Sequence, residues 1–320
     1  LDIEGDYETD QTIDRVYRDP EIKPADYKPE NLKILSFDIE TSIDGKKLYC
    51  IGLYSEKYQQ SFIVSKENFK DTISCKTEEQ LLEEFQKVLL QEAPDIITGW
   101  NVIDFDLNYL KKKFQQHQIP FNLGRDNSQS KIKIEAGFFR DSKADIVGRQ
   151  VLDGLHLLKS SFIKLKDYKL ETAANKFLNQ KKLLAHHEKL KIDELYKKDQ
   201  KHLLDYNLLD AKLVYDIIFA SKTLDLTIQR SLLTGMSLDR VSASIASFDS
   251  IYLKKARERK YVVPSGKFSS KPSQITGGFV MESKPGIYDN VLVLDFKSLY
   301  TSMMRTFNID PISFLKRNKE

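Results

Sequence analysis

The sequence predicts an α/β protein built on a mixed β-sheet with flanking helices. Two observations carry that expectation. First, "NLKILSFDIETS", "LYCIGLYS" and "SFIV" are β-rich runs, the first two separated by Asp44 and Gly45, which is the pattern of a hairpin or meander. Second, helical and strand patterns alternate from Thr77 onward, so parallel pairing should join the same sheet. The 320 residues, 41% of them hydrophobic, suffice for two domains with a real core.

The elements follow in chain order. Residues 1–30 mix acids with Pro20, Pro24 and Pro29, and read as a strand-poor lead-in or the end of an earlier domain. In "TEEQLLEEFQKVLLQEAP", Leu81, Leu82, Phe85, Val88 and Leu89 recur at helical spacing, with Thr77 as cap and Pro94 as terminator. "DIITGWN" is a short buried strand, "FDLNYLKKKFQQH" an amphipathic helix, and "GRQVLDGLHLLKS" a strand running into another helix. A long amphipathic helix follows through Leu203, Tyr206, Leu209, Asp210, Leu213 and Ile217, and helical pattern continues to about Lys260. Ser, Gly and Pro then dominate to Gly286, after which "NVLVLDFKSLY" reads as a new strand. The expected organisation is a lead-in over 1–30, a domain over 31–222, a helical and loop connector over 223–287, and the start of a second domain over 288–320.

Composition limits the function. No apolar run approaches the roughly 20 residues of a membrane span and no signal peptide is evident at the start, so the expected partners include no membrane. Cys50 and Cys75 lack zinc or disulfide spacing, which fits a reducing compartment. Against 47 acids, 50 Lys and Arg leave +3, too little to establish a nucleic-acid partner. The runs Lys111–Lys113 and Lys181–Lys182 read as solvated helix faces. His186, His187 and Glu188 read as an exposed helix start, because no second ligand pair has zinc spacing. The chain starts at Leu1 and ends in "LKRNKE", so it is expected to be part of something longer.

Asp38 and Glu40 break the apolar run of "KILSFDIETS" at a spacing of two. Side chains of a strand alternate, so both acids share a face with Ser36 while Leu35, Phe37 and Ile39 take the other. Like charges that close need something positive between them, and a divalent cation is the natural candidate. Taken singly, Asp106 is a helix-start acid suited to the dipole and Asp210 is the polar edge of a helix, one turn after Tyr206. Taken together, the four acids can converge on one cleft holding two hard cations, the arrangement that stabilises both oxygens of a phosphoryl displacement.

"FDIET", "NVIDFD" and "YNLLD" stand in the order and at the intervals of the three exonuclease motifs of family-B DNA polymerases, and the sequence resembles that family. The resemblance implies a ribonuclease-H-like fold and a 3′-to-5′ proofreading exonuclease in which Asp38, Glu40, Asp106 and Asp210 hold two Mg²⁺ ions, with Mn²⁺ able to substitute. It further implies that Tyr206 orients the attacking water, and that Thr41, Asn101 and Phe105 touch the terminal nucleotides. "LDFKSLYTS" resembles the first palm motif of the same family, with Thr301 in place of the usual Pro. That likeness implies that Asp295 binds the metal of the incoming nucleotide, with Ser298, Leu299 and Tyr300 beside it.

Gly277 and Gly278 match a Gly-Gly motif between exonuclease and palm, although locally they read equally well as an interdomain turn. The implied partners are primer-template DNA, single-stranded 3′ ends and, in a complete polymerase, deoxynucleotide triphosphates and a sliding clamp. The implied setting is a bacterial cytoplasm, at the nucleoid. The expected polymerase site is incomplete, since no second acidic palm motif occurs before Glu320. The alternatives are a free-standing exonuclease of the same superfamily, which leaves residues 289–320 without a purpose, and a non-catalytic nucleic-acid scaffold, against which the presence of all four acids argues.

Overall fold

A computed structural model describes residues 2–9, 15–23, 32–126, 128–135, 142–179, 192–263 and 277–309. Lys181, Lys182 and the His186–Glu188 stretch lie outside them. The chain divides into two compact units, Leu1–Ser250 and Ile251–Glu320.

The first unit begins with four short strands, β1 (Asp2–Glu4), β2 (Tyr7–Glu8), β3 (Val16–Tyr17) and β4 (Glu21–Lys23), paired antiparallel as β1 with β4 and β2 with β3. Strands of two or three residues cannot display an alternating pattern, and this is why the sequence shows only a lead-in there.

The meander expected next forms as β5 (Ile34–Thr41), β6 (Leu48–Tyr54) and β7 (Gln59–Val64), all antiparallel. β8 (Thr72–Cys75), not anticipated, adds parallel to β7. Helix α1 (Glu78–Glu92) starts where Thr77 accepts from the Gln80 amide and ends at Ala93, whose φ of 45° closes the last turn before Pro94. β9 (Ile96–Gly99) returns parallel to β5. A π turn, Ile103–Leu107, leads into α2 (Asn108–Gln116). The small hairpin of β10 (Lys131–Lys133) and β11 (Lys143–Asp145) precedes β12 (Gln150–Asp153), parallel to β9. The resulting six-stranded mixed sheet has the order β12-β9-β5-β6-β7-β8.

Both faces of the sheet are covered. Leu35, Phe37 and Ile39 join α1 and α2 residues such as Phe85, Leu110 and Phe114 in the main core. The opposite face receives α3 (Gly154–Ser160), α4 (Leu170–Leu178), α5 (Ile192–Lys198), α6 (Gln200–Ala220) and α7 (Thr223–Thr234), in smaller apolar clusters around Ile34, Cys50 and Leu213. Of the Lys111–Lys113 run, Lys113 is not a solvated side chain: it is buried, and its Nζ donates to Glu78 Oε2 at 2.8 Å. α8 (Ser244–Glu258) completes the helical stretch. Among the described residues no helix is long and apolar enough to cross a membrane.

The second unit contains α9 (Leu299–Phe307), preceded by irregular chain from residue 277. The strand expected through "NVLVLDFKSLY" does not form. A strand exists by its ladder and by cover on its face, and among the described residues nothing pairs with this segment; Val291 is 68% exposed and Leu294 82%. Asp295 is therefore exposed rather than set into a buried face.

Candidate active site

Strands β12, β9 and β5 are mutually parallel, so their C-terminal ends and the turns that follow gather at one edge of the sheet. β5 delivers Asp38 and Glu40 there, on the face opposite the main core. α6 crosses that face, starting at Asp199, whose side chain accepts from the His202 amide. Its buried residues include Leu203, Asn207, Asp210, Leu213, Val214 and Ile217, so four of the six positions read in the sequence are buried while Tyr206 and Leu209 are half-buried. Carboxylate oxygens of Asp38, Glu40 and Asp210 come within 4.8 Å of one another, with Asp210 buried and the other two half-buried.

Tyr206 stands at the margin of the group. Burial first, then the charges of Asp210, Glu40 and Asp38 and a hydrogen bond to Asp210, push its phenol far above the ordinary value. It is thus a neutral hydroxyl at any working pH.

Asp106 is reached differently from the helix start that the sequence suggested. The π turn, closed by Leu107 N donating to Val102 O at 2.8 Å, widens the backbone just before α2. It turns Asp106 inward, 2% exposed, and leaves Phe105 outward at 47%. Asp106 Oδ1 accepts from the Ile39 amide at 3.2 Å, between the two acids of β5. Burial and then the nearby Asp38 charge raise its pKa well above the carboxylate range. Asp106 thus adjoins the three-carboxylate group without belonging to it.

Of the remaining expected contacts, Thr41, Asn101 and Phe105 lie around this edge. Thr41 is half-buried beyond a register shift that follows Glu40, and its hydroxyl donates to Ser42 O at 3.3 Å. Asn101 holds a left-handed backbone, φ 60°, in the turn after β9. Phe105 stacks on Tyr109 with ring centroids 6.5 Å apart. In the second unit, Asp295, Ser298, Leu299 and Tyr300 are exposed around the start of α9, and Ser298 has φ 53°. Among the described residues, a Cβ on Gly277 or Gly278 would meet nothing within 4 Å. Among the described residues, Asp295 belongs to no group of three or more metal-ligating side chains.

Two residues of the site went unread in the sequence. Asp153 ends β12, caps α3 by accepting from the Leu155 and His156 amides, and also accepts from the Asn101 amide at 3.2 Å, so it ties the turn after β9 to the neighbouring helix. "VLDGL" carried the cap signal. Asn207, fully buried on the helix that carries Asp210, donates through Nδ2 to Asp38 Oδ2 at 2.8 Å.

Residues 4–173 match the family model described as DNA polymerase family B, exonuclease domain, and residues 239–320 match that of DNA polymerase family B. The chain belongs to DNA polymerase family B. It is 37% identical to DNA polymerase II of Escherichia coli (strain K12) over 92% of this chain and 38% of that protein. It is 29% identical to a DNA polymerase of Desulfurococcus sp. (strain Tok) over 88% of this chain and 37% of that protein. A DNA polymerase of Thermococcus gorgonarius is 28% identical over 88% of this chain and 37% of its own length. The chain thus spans little more than a third of these relatives. Its six-stranded mixed sheet with helices on both faces is the ribonuclease-H-like exonuclease fold of the family, and a portion of the polymerase domain follows. The three clustered carboxylates offer the hard oxygen donors that a divalent cation takes.

Proposed function

We propose that this chain removes nucleotides from DNA 3′ ends by hydrolysing the terminal phosphodiester, as a proofreading exonuclease. The observation that carries the proposal is the group of Asp38, Glu40 and Asp210, within 4.8 Å of one another, with the Tyr206 hydroxyl hydrogen-bonded to Asp210. The family match over residues 4–173 stops short of α6, so the roles of Tyr206 and Asp210 rest on this geometry and on the "YNLLD" motif.

Asp38, Glu40 and Asp210, with Asp106 beside them, would hold two Mg²⁺ ions, or Mn²⁺ in their place. Bound there, the ions would supply Lewis-acid stabilisation of the attacking and leaving oxygens. The Asp106 carboxyl already gives Oδ1 to the Ile39 amide, which points to Oδ2 as its ligand atom. Tyr206, a neutral donor and acceptor at the edge of the acids, would hold the attacking water in line. Exposed Phe105 offers a face on which a terminal base can stack, and Thr41 and Asn101 flank the same edge.

The domain limits we propose are 31–222 for the exonuclease, 223–287 for a connector and 288–320 for the start of the palm, preceded by a lead-in over 1–30. In the palm portion Asp295, Ser298, Leu299 and Tyr300 would serve a deoxynucleotide triphosphate, and Gly277 and Gly278 the primer-template. These assignments, like a clamp partner and a bacterial cytoplasmic setting at the nucleoid, are supported by family likeness and by no contact in the structure.

A single-stranded oligonucleotide labelled at its 5′ end tests the proposal. With Mg²⁺ it should shorten in single-nucleotide steps from the 3′ end, and with a chelator it should not. Persistence of the full-length oligonucleotide, or internal cutting, would reject it.

A further inference from the structure

We propose that Asn207 is a positioning residue that fixes the orientation of the Asp38 carboxylate, and that Gly52 keeps open the slot in which Asn207 sits. The inference rests on the reading of Asp38 as a metal ligand and extends it to Asn207, which lies inside the "YNLLD" stretch but has no role assigned there, and to Gly52.

Asn207 Nδ2 donates to Asp38 Oδ2 at 2.8 Å from a fully buried position on α6. Its Oδ1 is buried without a hydrogen-bond partner. Burying an amide with one end unsatisfied is unfavourable, and Leu, of similar size, would suit a helix face that also buries Leu203, Leu204, Val214 and Ile217. Stability therefore does not account for an amide here, whereas its donor does. A neutral N–H fixes the plane of a carboxylate and leaves its charge intact, while Lys or Arg in the same place would cancel the charge that a cation must meet.

The slot explains how the amide gets there. Gly52 on β6 is the register partner of Asp38 on β5. A Cβ at Gly52 would lie 2.7 Å from Asn207 Oδ1 and 3.2 Å from both its Cγ and its backbone carbonyl carbon. The 2.7 Å contact is with the amide oxygen, which would have to move, and the 3.2 Å contacts with Cγ and the backbone carbon ask for a further few tenths of an ångström. Any side chain at Gly52 must push Asn207 away from the strand pair that carries Asp38.

Binding of Mn²⁺ to the 320-residue chain, followed by electron paramagnetic resonance of the free ion without DNA, tests the proposal. Asn207→Leu and Gly52→Ala should each weaken Mn²⁺ binding by about 10- to 100-fold, the usual cost of losing a group that orients a ligand. Both should lower kcat at fixed metal and leave KM for the oligonucleotide within about twofold, and Asn207→Leu should melt no lower than wild type because it removes the unsatisfied amide oxygen. Asn207→Ala, which cannot overfill the slot, decides the matter if Leu is not accommodated. Asp38→Ala with Glu40→Ala separates the two readings. If that double variant binds Mn²⁺ as wild type does, the metal site itself is wrong. If it loses binding while the folded Asn207 variants keep wild-type affinity, the positioning role alone is overturned.

Discussion

Tyr206 and the acids beside it divide the proposed chemistry into two unequal parts. A hydroxyl that orients water contributes less than the groups that hold the metal centre. Tyr206→Phe should therefore slow digestion by about ten- to a thousandfold, measured as single-turnover rates, and Asp210→Ala should slow it further; equal losses would give the phenol a heavier role. Asp38→Ala with Glu40→Ala should abolish digestion yet leave oligonucleotide affinity nearly unchanged in a gel-shift titration, because phosphate contacts elsewhere dominate affinity. At this scale the acids were legible because each interrupts an apolar pattern: Asp38 and Glu40 stand against the alternation of β5, and Asp210 lies four residues from Tyr206. The inward turn of Asp106 was not legible, since one widened backbone turn leaves no period in the sequence. Asn207 was hidden for a related reason. The stripe read in the sequence passed through Tyr206 and Leu209 and left Asn207 out, although it is buried on α6 together with Leu203, Asp210 and Leu213.

The elements that carry these residues are tied down by a few polar contacts, and those contacts are open to test. Arg149, 5% exposed, donates to Leu123 O, Pro94 O and Leu89 O, and so joins the end of α1 to the entry of β9. Desolvation pulls its pKa down to about 10. Arg149→Met leaves the Leu123 and Pro94 carbonyls without their donor, while Leu89 O keeps the Ala93 amide, and should cost about 2–5 kcal/mol in urea unfolding. Tyr49 stacks on Tyr196 of α5 at 3.8 Å between ring centroids and donates to Asp193 Oδ1 at 3.1 Å, which anchors α5 just before α6 begins. Burial, then Asp193, raises the Tyr49 pKa from 10.0 to about 12. The folded state therefore holds the proton more tightly than the unfolded chain. The stabilising effect is complete below about pH 10 and declines as pH rises toward 12. The stability advantage of wild type over Tyr49→Phe should shrink across that window; a constant gap would show that the hydroxyl is not protected. The helix capped by Thr77 and the β5–β7 meander were legible from local pattern and cap chemistry. β8 and the strands before residue 24 were not, because segments this short are defined by their partners and not by their own sequence.

For the molecule as a whole, every residue of the proposed exonuclease site lies within the Leu1–Ser250 unit. A chain cut after Lys260, which keeps all of α8, should retain the digestion rate and the melting midpoint of the full chain; loss of either would show that residues beyond the cut support the site. The second unit was the less legible half, since alternating Val291, Val293 and Asp295 promise a strand only if other chain supplies the ladder. The exposed hexamer Val291–Phe296 has a consequence in the colloidal behaviour of the protein. Six residues rich in β-branched and aromatic groups, with one charge and no proline, form a segment able to pair with its own copy on another molecule. Concentrated solutions should scatter light increasingly with time, and Leu292→Lys should suppress that growth while leaving digestion untouched, so the stretch that resembles the palm motif should set the practical solubility limit of this chain.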